Sequence, residues 1–312
     1  LTEGSAIGMA FRNQPIIPVH DIMGNYAGSF GSGLGNAKNP VAIQDRLRNN
    51  RGVSSRVFGN IFAEIDFLDH FTFRTSFGGQ YYSNTFNSFQ FPEYENSENL
   101  SVNQYTEAAA TNFNWTWTNT VKYQNSFNDV HNLTVLLGTE AYQNKGREVG
   151  GTTQSYFSFD PDYVTLDTGS GTQTNYSFKY ADALSSVFGR LYYNYDDRYL
   201  VSATVRRDGS SRFLNEQFGW FPAFSAGWNV TNESFFPETN WLNDLKIRGG
   251  YGVMGNQLNV DPANAFTTFG GNNRTSFYAI GGGNSSISEG FQQTRIGNPD
   301  AKWEKNINSN IG

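Results

Sequence analysis

The feature that most constrains this chain is a two-residue alternation of side-chain character, repeated in run after run. From Phe113 to Phe127, one side takes Phe113, Trp115, Trp117, Val121, Tyr123 and Phe127. The other takes Asn114, Thr116, Thr118, Thr120, Lys122, Gln124 and Ser126. A helix would mix these sets around its circumference, whereas a strand keeps them apart. The same split recurs over Val57–Phe67, Phe71–Tyr82, Leu133–Asn144, Ser186–Tyr195, Tyr199–Asp208, Phe218–Val230 and Leu245–Val253, and a ninth strand is expected to open near Lys302.

Most of these runs are about 10 to 14 residues long, against about 5 to 6 for strands of globular domains. At roughly 3.3 Å per residue and a tilt near 40°, 11 residues cross about 28 Å, the height of a bilayer's apolar slab. The connections alternate as well. Short turns follow the first, third and fifth runs, at Leu68-Asp69-His70, Asn128–Asn132 and Asp196-Asp197-Arg198. Long segments rich in Asn, Ser, Gly and aromatics follow the second, fourth and eighth, at Ser83–Asn112, Gly146–Asp182 and Asn256–Ala301. The connection Gly209–Gln217 is of moderate length, and Thr231–Asp244 exceeds a tight turn. Short turns on one side and long loops on the other are the pattern of an outer-membrane barrel.

Composition narrows the function classes. Charged residues make up 16% of the chain and aromatics another 16%, a balance suited to strands with one face in lipid and aromatic girdles at its boundaries. No apolar run reaches the roughly 18 to 20 residues of a membrane helix, so a membrane reading must be a barrel. Cysteine is absent and the three histidines are scattered, which leaves no disulfide frame, thiolate nucleophile or metal-ligand cluster. A net charge of −6 and the lack of a basic cluster argue against nucleic acid. No nucleophile elbow or metalloprotease signature occurs, and we expect neither an enzyme nor a cofactor.

Gly250-Tyr-Gly-Val-Met-Gly255 has the spacing of a dinucleotide fingerprint, but it ends a strand pattern and runs into a loop instead of opening a helix. Close packing of an inner element against a strand is the better reading. Gly31-Ser-Gly-Leu-Gly35 reads as flexible loop. Loop aromatics Phe89, Phe91, Tyr156, Phe157 and Phe159 suit either ligand stacking or packing on each other. Residues 1–55 carry no clear period, apart from a possible short helix over Pro40–Asn50, and are expected to lie in an external loop. The chain starts at Leu1 without a leader and reads as an excerpt of a longer protein.

Several stretches resemble the SusC/RagA-like branch of TonB-dependent outer-membrane transporters of Bacteroidetes. The most specific runs from Asn194 through Asp196-Asp197-Arg198-Tyr199 to Asp208-Gly-Ser-Ser-Arg-Phe213. Phe218–Trp228, Leu242–Gly252 with Gly255-Asn-Gln257, and Asn298–Lys305 follow in order; His131–Thr134 with Leu137-Gly138, Pro18–Asp21 with Gly24–Tyr26, and Asn39–Ala42 precede it. The resemblance implies a barrel of about 22 strands, a plug energised by the TonB complex, and a SusD-like lipoprotein cap. It further implies import of an oligomeric nutrient, oligosaccharide ahead of oligopeptide. No plug or TonB-contacting segment is recognised here, so residues 56–312 are expected to form about nine strands of an all-β, antiparallel transmembrane barrel. A passive porin and a secreted carbohydrate-binding β-protein are the alternatives.

Within that frame, Arg74, Tyr82, Glu140, Tyr142, Arg190, Tyr192, Arg206 and Asp208 are the expected lumen-lining residues. Arg206 and Asp208 equally suit a structural ion pair. Trp115, Trp117, Trp220 and Trp228 are the expected anchors at the lipid boundaries.

Overall fold

The computed structural model describes residues 5–237, 241–272, 275–280 and 287–312. Parts of the expected loops Asn256–Ala301 and Thr231–Asp244, and the first residues of the expected external region, lie outside the described residues. Two short helices, α1 (Ala6–Arg12) and α2 (Pro40–Leu47), precede the strands. The strands are β1 (Arg51–Phe67), β2 (Phe71–Gln90), β3 (Gln104–Phe127), β4 (His131–Gln154), β5 (Gln173–Tyr195), β6 (Tyr199–Ser210), β7 (Phe218–Asn229) and β8 (Lys246–Asn256). The short β9 (Thr268–Gly270), β10 (Tyr278–Ala279), β11 (Ile287–Ser288) and β12 (Gln292–Arg295) follow, and then β13 (Glu304–Ile311). Nine strands form one antiparallel sheet in the order β1-β2-β3-β4-β5-β6-β7-β8-β13, while β9 pairs with β12 and β10 with β11.

All eight alternating runs become strands, and the ninth opens at Glu304. The first five strands are longer than their alternation, at 17, 20, 24, 24 and 23 residues. Alternation records only the stretch where one face meets an apolar environment; backbone pairing can continue where both faces are polar. Much of the expected loops at Ser83–Asn112 and Gly146–Asp182 is therefore strand, leaving connections over residues 91–103 and 155–172. β1 likewise reaches back to Arg51, inside the stretch that carries no period. Val230 leaves the sheet and enters a single 3₁₀ turn.

The short turns share one construction. Each strand ends on Phe or Tyr, and the next two residues take positive φ: Leu68 and Asp69 at 51° and 56°, Asn128 and Asp129 at 49° and 59°, Asp196 and Asp197 at 49° and 51°. Two left-handed residues in sequence match the right-handed twist of the strands they join. The third turn residue offers its carbonyl to the neighbouring hairpin or strand. Gln124 N donates to His70 O at 2.9 Å, Asp196 N to Val130 O at 2.7 Å, and Asn229 N to Arg198 O at 2.8 Å.

The chain separates into two compact units. The first comprises Leu1–Val57, Tyr81–Asn112 and Gly146–Lys179. At its centre Asn39 is almost fully buried. Its carbonyl caps α2 by accepting from Val41 N and Ala42 N, and its amide donates to the carbonyls of Val19 and Ala27 at 2.8 Å each. Arg46 grips Glu95 through both guanidinium arms at 2.7 and 3.1 Å. The second unit comprises Phe58–Gln80, Phe113–Lys145 and Tyr180–Gly312. Its buried apolar cluster is Phe213, Phe221 and Trp303, with Trp303 packed on both phenyl rings at 5.3 Å.

Leu68 has no short polar side chain to ease its left-handed conformation, unlike Asp69, Asn128, Asp129, Asp196 and Asp197. Leu68→Asn in the full-length protein is expected to stabilise the fold by roughly 0.5–1 kcal/mol. A rise in the urea midpoint followed by tryptophan fluorescence checks this, and a midpoint unchanged or lowered refutes it.

Candidate functional site

Strand register fixes which side chains share a face. Between β5 and β6, Ser186 pairs with Asp208, Phe188 with Arg206, Arg190 with Thr204 and Tyr192 with Ser202. Between β6 and β7, Arg206 faces Phe221 and Ser202 faces Ser225. Ser225 in turn faces Gly250 of β8. These residues form the polar face. The opposite face pairs Val187 with Arg207, Leu191 with Ala203, Val201 with Ala226, Ala203 with Phe224, and Phe224 with Tyr251.

Arg206 is the hub of the polar face in the second unit. Its Nη2 donates to Glu140 Oε1 and to Ser186 Oγ, both at 2.8 Å, and its Nε donates to Asp208 Oδ1 at 2.6 Å. Thr118 Oγ1 donates to the other Glu140 oxygen at 3.1 Å. The guanidinium also lies 5.4 Å from the Phe188 ring centre. Four strands, β3 to β6, thus meet at one cation. Gly138 lies beneath the Phe188 ring, so closely that a Cβ there would strike it.

A second polar knot stands midway along β4 and β5. Buried Asp182 accepts from Asn144 Nδ2 at 3.0 Å and pairs with Arg212 at 3.8 Å; Arg212 Nη1 donates to Val260 O at 2.8 Å. Ser210 Oγ joins this segment to Gln257. The glycines of the fingerprint-like stretch are strand residues. Gly250 and Gly252 pair with Ser225 and Ala223, and Gly255 lies under the ring of Phe221, leaving no space for a Cβ. Among the described residues no helix follows to receive a phosphate.

The eight expected polar-face residues are not one cluster. Glu140, Arg206 and Asp208 are in direct contact. Arg74 pairs instead with Glu64 at 3.5 Å, with Phe62 beneath it at 4.2 Å. Tyr82 belongs to the first unit, where its hydroxyl lies 3.2 Å from Ser54 Oγ and Arg56 stacks on its ring at 5.6 Å. Tyr142 follows Glu140 on the polar face and is half-buried. Arg190 and Tyr192 have no polar partner among the described residues; Tyr192 lines an open groove with Ser202, Ser225, Lys246 and Arg248. Phe62, Phe188 and Phe221 were not singled out in the sequence because their apolar character masks their places on the polar face. Thr118 and Ser186 carry the right parity but no other signal.

The four tryptophans occupy the apolar face. Trp115 stacks on Phe77 at 5.9 Å, and Trp117 Nε1 donates to Thr75 Oγ1 at 3.0 Å. Trp220 is paired across the sheet with Arg207. Trp228 lies near the short turns, parallel to Tyr199 at 6.5 Å, within a row that includes Tyr195 and His131. Beside it Glu233 accepts from Tyr199 Oη at 2.6 Å and Trp228 Nε1 at 2.9 Å. These two bonds, with Arg198 nearby, hold its carboxyl below the usual glutamate range. In the first unit, Phe89 packs on Phe91, Tyr156 and Phe159 at 4.8 to 5.7 Å, while Phe157 is fully exposed.

Removing the hub leaves two carboxylates facing each other. Arg206→Met in the full-length protein is expected to cost about 1–2 kcal/mol, reduced by the partial hydration of the site. Combining it with Glu140→Gln should recover part of that loss in a double-mutant cycle of urea midpoints. Strictly additive losses would dissolve the network as an energetic unit.

The comparisons agree with this architecture. Residues 13–312 match the model of the TonB dependent receptor-like, beta-barrel family. The TonB-dependent receptor P39 of Formosa agariphila is 30% identical over all of this chain and 29% of its own length. The TonB-dependent receptor SusC of Bacteroides thetaiotaomicron is 29% identical over 99% of the chain and 32% of its length. The solved RagAB peptide transporter superposes with a TM-score of 0.74 at 24% identity, over 91% of this chain and 31% of that one. The chain thus spans about a third of the length of the relatives it matches. The resemblance read in its motifs is borne out, with SusC among the relatives it matches: this chain belongs to the TonB-dependent receptor-like β-barrel family.

Proposed function

We propose that the complete protein is a TonB-dependent importer of the bacterial outer membrane, and that this chain supplies part of its barrel wall. The observation that carries the reading is the division of the sheet in the second unit into a polar face that holds ion pairs on β4 to β6 and an apolar face that bears the tryptophans of β3 and β7, in a chain of this family. The polar face then lines the lumen, and the apolar face meets lipid through anchors at Trp115, Trp117, Trp220 and Trp228. The short αL turns point to the periplasm and the long connections to the exterior. A plug coupled to the TonB complex and a SusD-like surface lipoprotein complete the machine. No catalytic step is assigned to it.

Among the lumen residues, Arg206 and Asp208 serve structure, because their polar atoms already serve each other, Glu140 and Ser186. Arg190 and Tyr192 have free polar ends and are the better contacts for a passing ligand. Oligosaccharide is the cargo class we favour, since the SusC-like resemblance carries it. The likeness to a structure described as a peptide transporter supports oligopeptide as the second reading.

Deleting the gene and restoring it in full separates these readings. Restored growth on defined oligosaccharides, abolished by a protonophore, is the expected outcome. Restoration on peptides alone moves the cargo to the second class, and uptake indifferent to the protonophore makes the protein a passive pore. Arg190→Ala combined with Tyr192→Ala is expected to lower uptake at limiting substrate by roughly tenfold without lowering the amount of folded protein.

A further inference from the structure

The register makes one residue on the apolar face anomalous. On β5, β6 and β7 that face carries Val187, Leu191, Tyr193 and Tyr195, then Tyr199, Val201, Ala203 and Val205, then Phe218, Trp220, Pro222, Phe224, Ala226 and Trp228. Over these paired stretches its single charged side chain is Arg207. Asp208 and Arg206, its neighbours in sequence, both point to the other face, where they pair with each other. No carboxylate pairs with Arg207 among the described residues. Its guanidinium lies instead 3.8 Å above the Phe218 ring and 5.9 Å from that of Trp220.

The level of this cation is also defined. Tyr199 faces Trp228 and Arg207 faces Trp220, so eight residues of strand separate the two aromatic pairs. At roughly 3.3 Å per residue and a tilt near 40° this is about 20 Å along the membrane normal. The side chains between them are Val201, Ala203, Val205, Pro222, Phe224 and Ala226. Arg207 therefore stands at the upper edge of an apolar band whose lower edge is the turn-side aromatic row. A cation within hydrocarbon is costly, whereas one at the headgroup level has a natural counter-ion.

The geometry points to a binding site for the phosphate of an outer-leaflet lipid headgroup, formed by Arg207 on its Phe218–Trp220 platform. The ring beneath the guanidinium restrains the side chain and covers one of its faces. The N–H groups at its edge remain available for the fork that oxyanions of phosphate accept. Trp220 and Phe224, 58% and 53% exposed, offer apolar surface for the acyl chain below. Lipid held here would fasten the wall at one level of the membrane. The inference rests on the outer-membrane reading above.

Native mass spectrometry of the full-length detergent-solubilised protein tests it, with phosphatidylglycerol and phosphatidylcholine of matched chains as competing probes. The wild-type protein is expected to retain phosphatidylglycerol in preference, and Arg207→Gln to lose that preference by about fivefold. Arg207→Lys, which keeps the charge without the fork, should fall between. An unchanged preference in Arg207→Gln overturns the proposal. So does displacement of the lipid by millimolar inorganic phosphate, which would make this a free-anion site. A wild-type protein that is soluble and monodisperse without detergent is a different failure, that of the membrane reading itself.

Discussion

Everything in this chain depends on backbone amides finding partners in neighbouring strands. A strand whose one face meets lipid has no water there to hydrogen-bond its amides, so each must be paired by the strand beside it. The nine-stranded ladder meets this demand, and β1 and β13 form its edges. The short turns serve the same demand, since their last carbonyls accept amides from the adjoining hairpin or strand. Side chains are then free to differ completely on the two faces. That freedom lets one face gather charges around Arg206 while the other stays almost free of them.

How much of this was legible depended on which force wrote the signal. Burial against an apolar phase writes a period of two, and it fixed the facing of Trp115, Leu191, Tyr193, Ala203 and Phe224. It falls silent where both faces are polar, which is why β2 through Gln90 and β4 through Gln154 outran their alternating stretches. The turn at Asp196-Asp197-Arg198 was readable because short polar residues tolerate left-handed backbone; Leu68 adopts that backbone through its neighbours' constraint alone. The charge pair of Arg206 and Asp208 was one of two readings of the sequence. Its third member, Glu140, lies 66 residues from Arg206, and no local pattern could have joined them.

The aromatic residues on the polar face were hidden for a related reason. Phe188 and Phe221 look like core residues of any fold, and each is matched to a glycine that leaves its ring room, Gly138 and Gly255 respectively. A phenyl ring resting on bare backbone fills space without a polar partner and leaves the adjacent charges to pair among themselves. The glycines that resemble a nucleotide fingerprint are explained by strand pairing and by the ring above Gly255. Phe213, Phe221 and Trp303 then bind the segments after β6 and before β13 into one buried cluster, and the motif residues Phe213 and Trp303 take their meaning from that contact.

The three αL turns carry a consequence for assembly. β1 with β2, β3 with β4, and β5 with β6 are each closed by a tight turn, whereas residues 91–103 and 155–172 separate the hairpins. Loop-closure entropy rises with the logarithm of length, so bringing β4 against β5 costs roughly 1.5 kcal/mol more than zipping a hairpin. Hairpins are thus the kinetic units of this wall: each forms from contacts close in sequence, and the slower events are their lateral associations. A chain built this way can deliver paired strands two at a time, with few unpaired amides exposed to lipid at any moment.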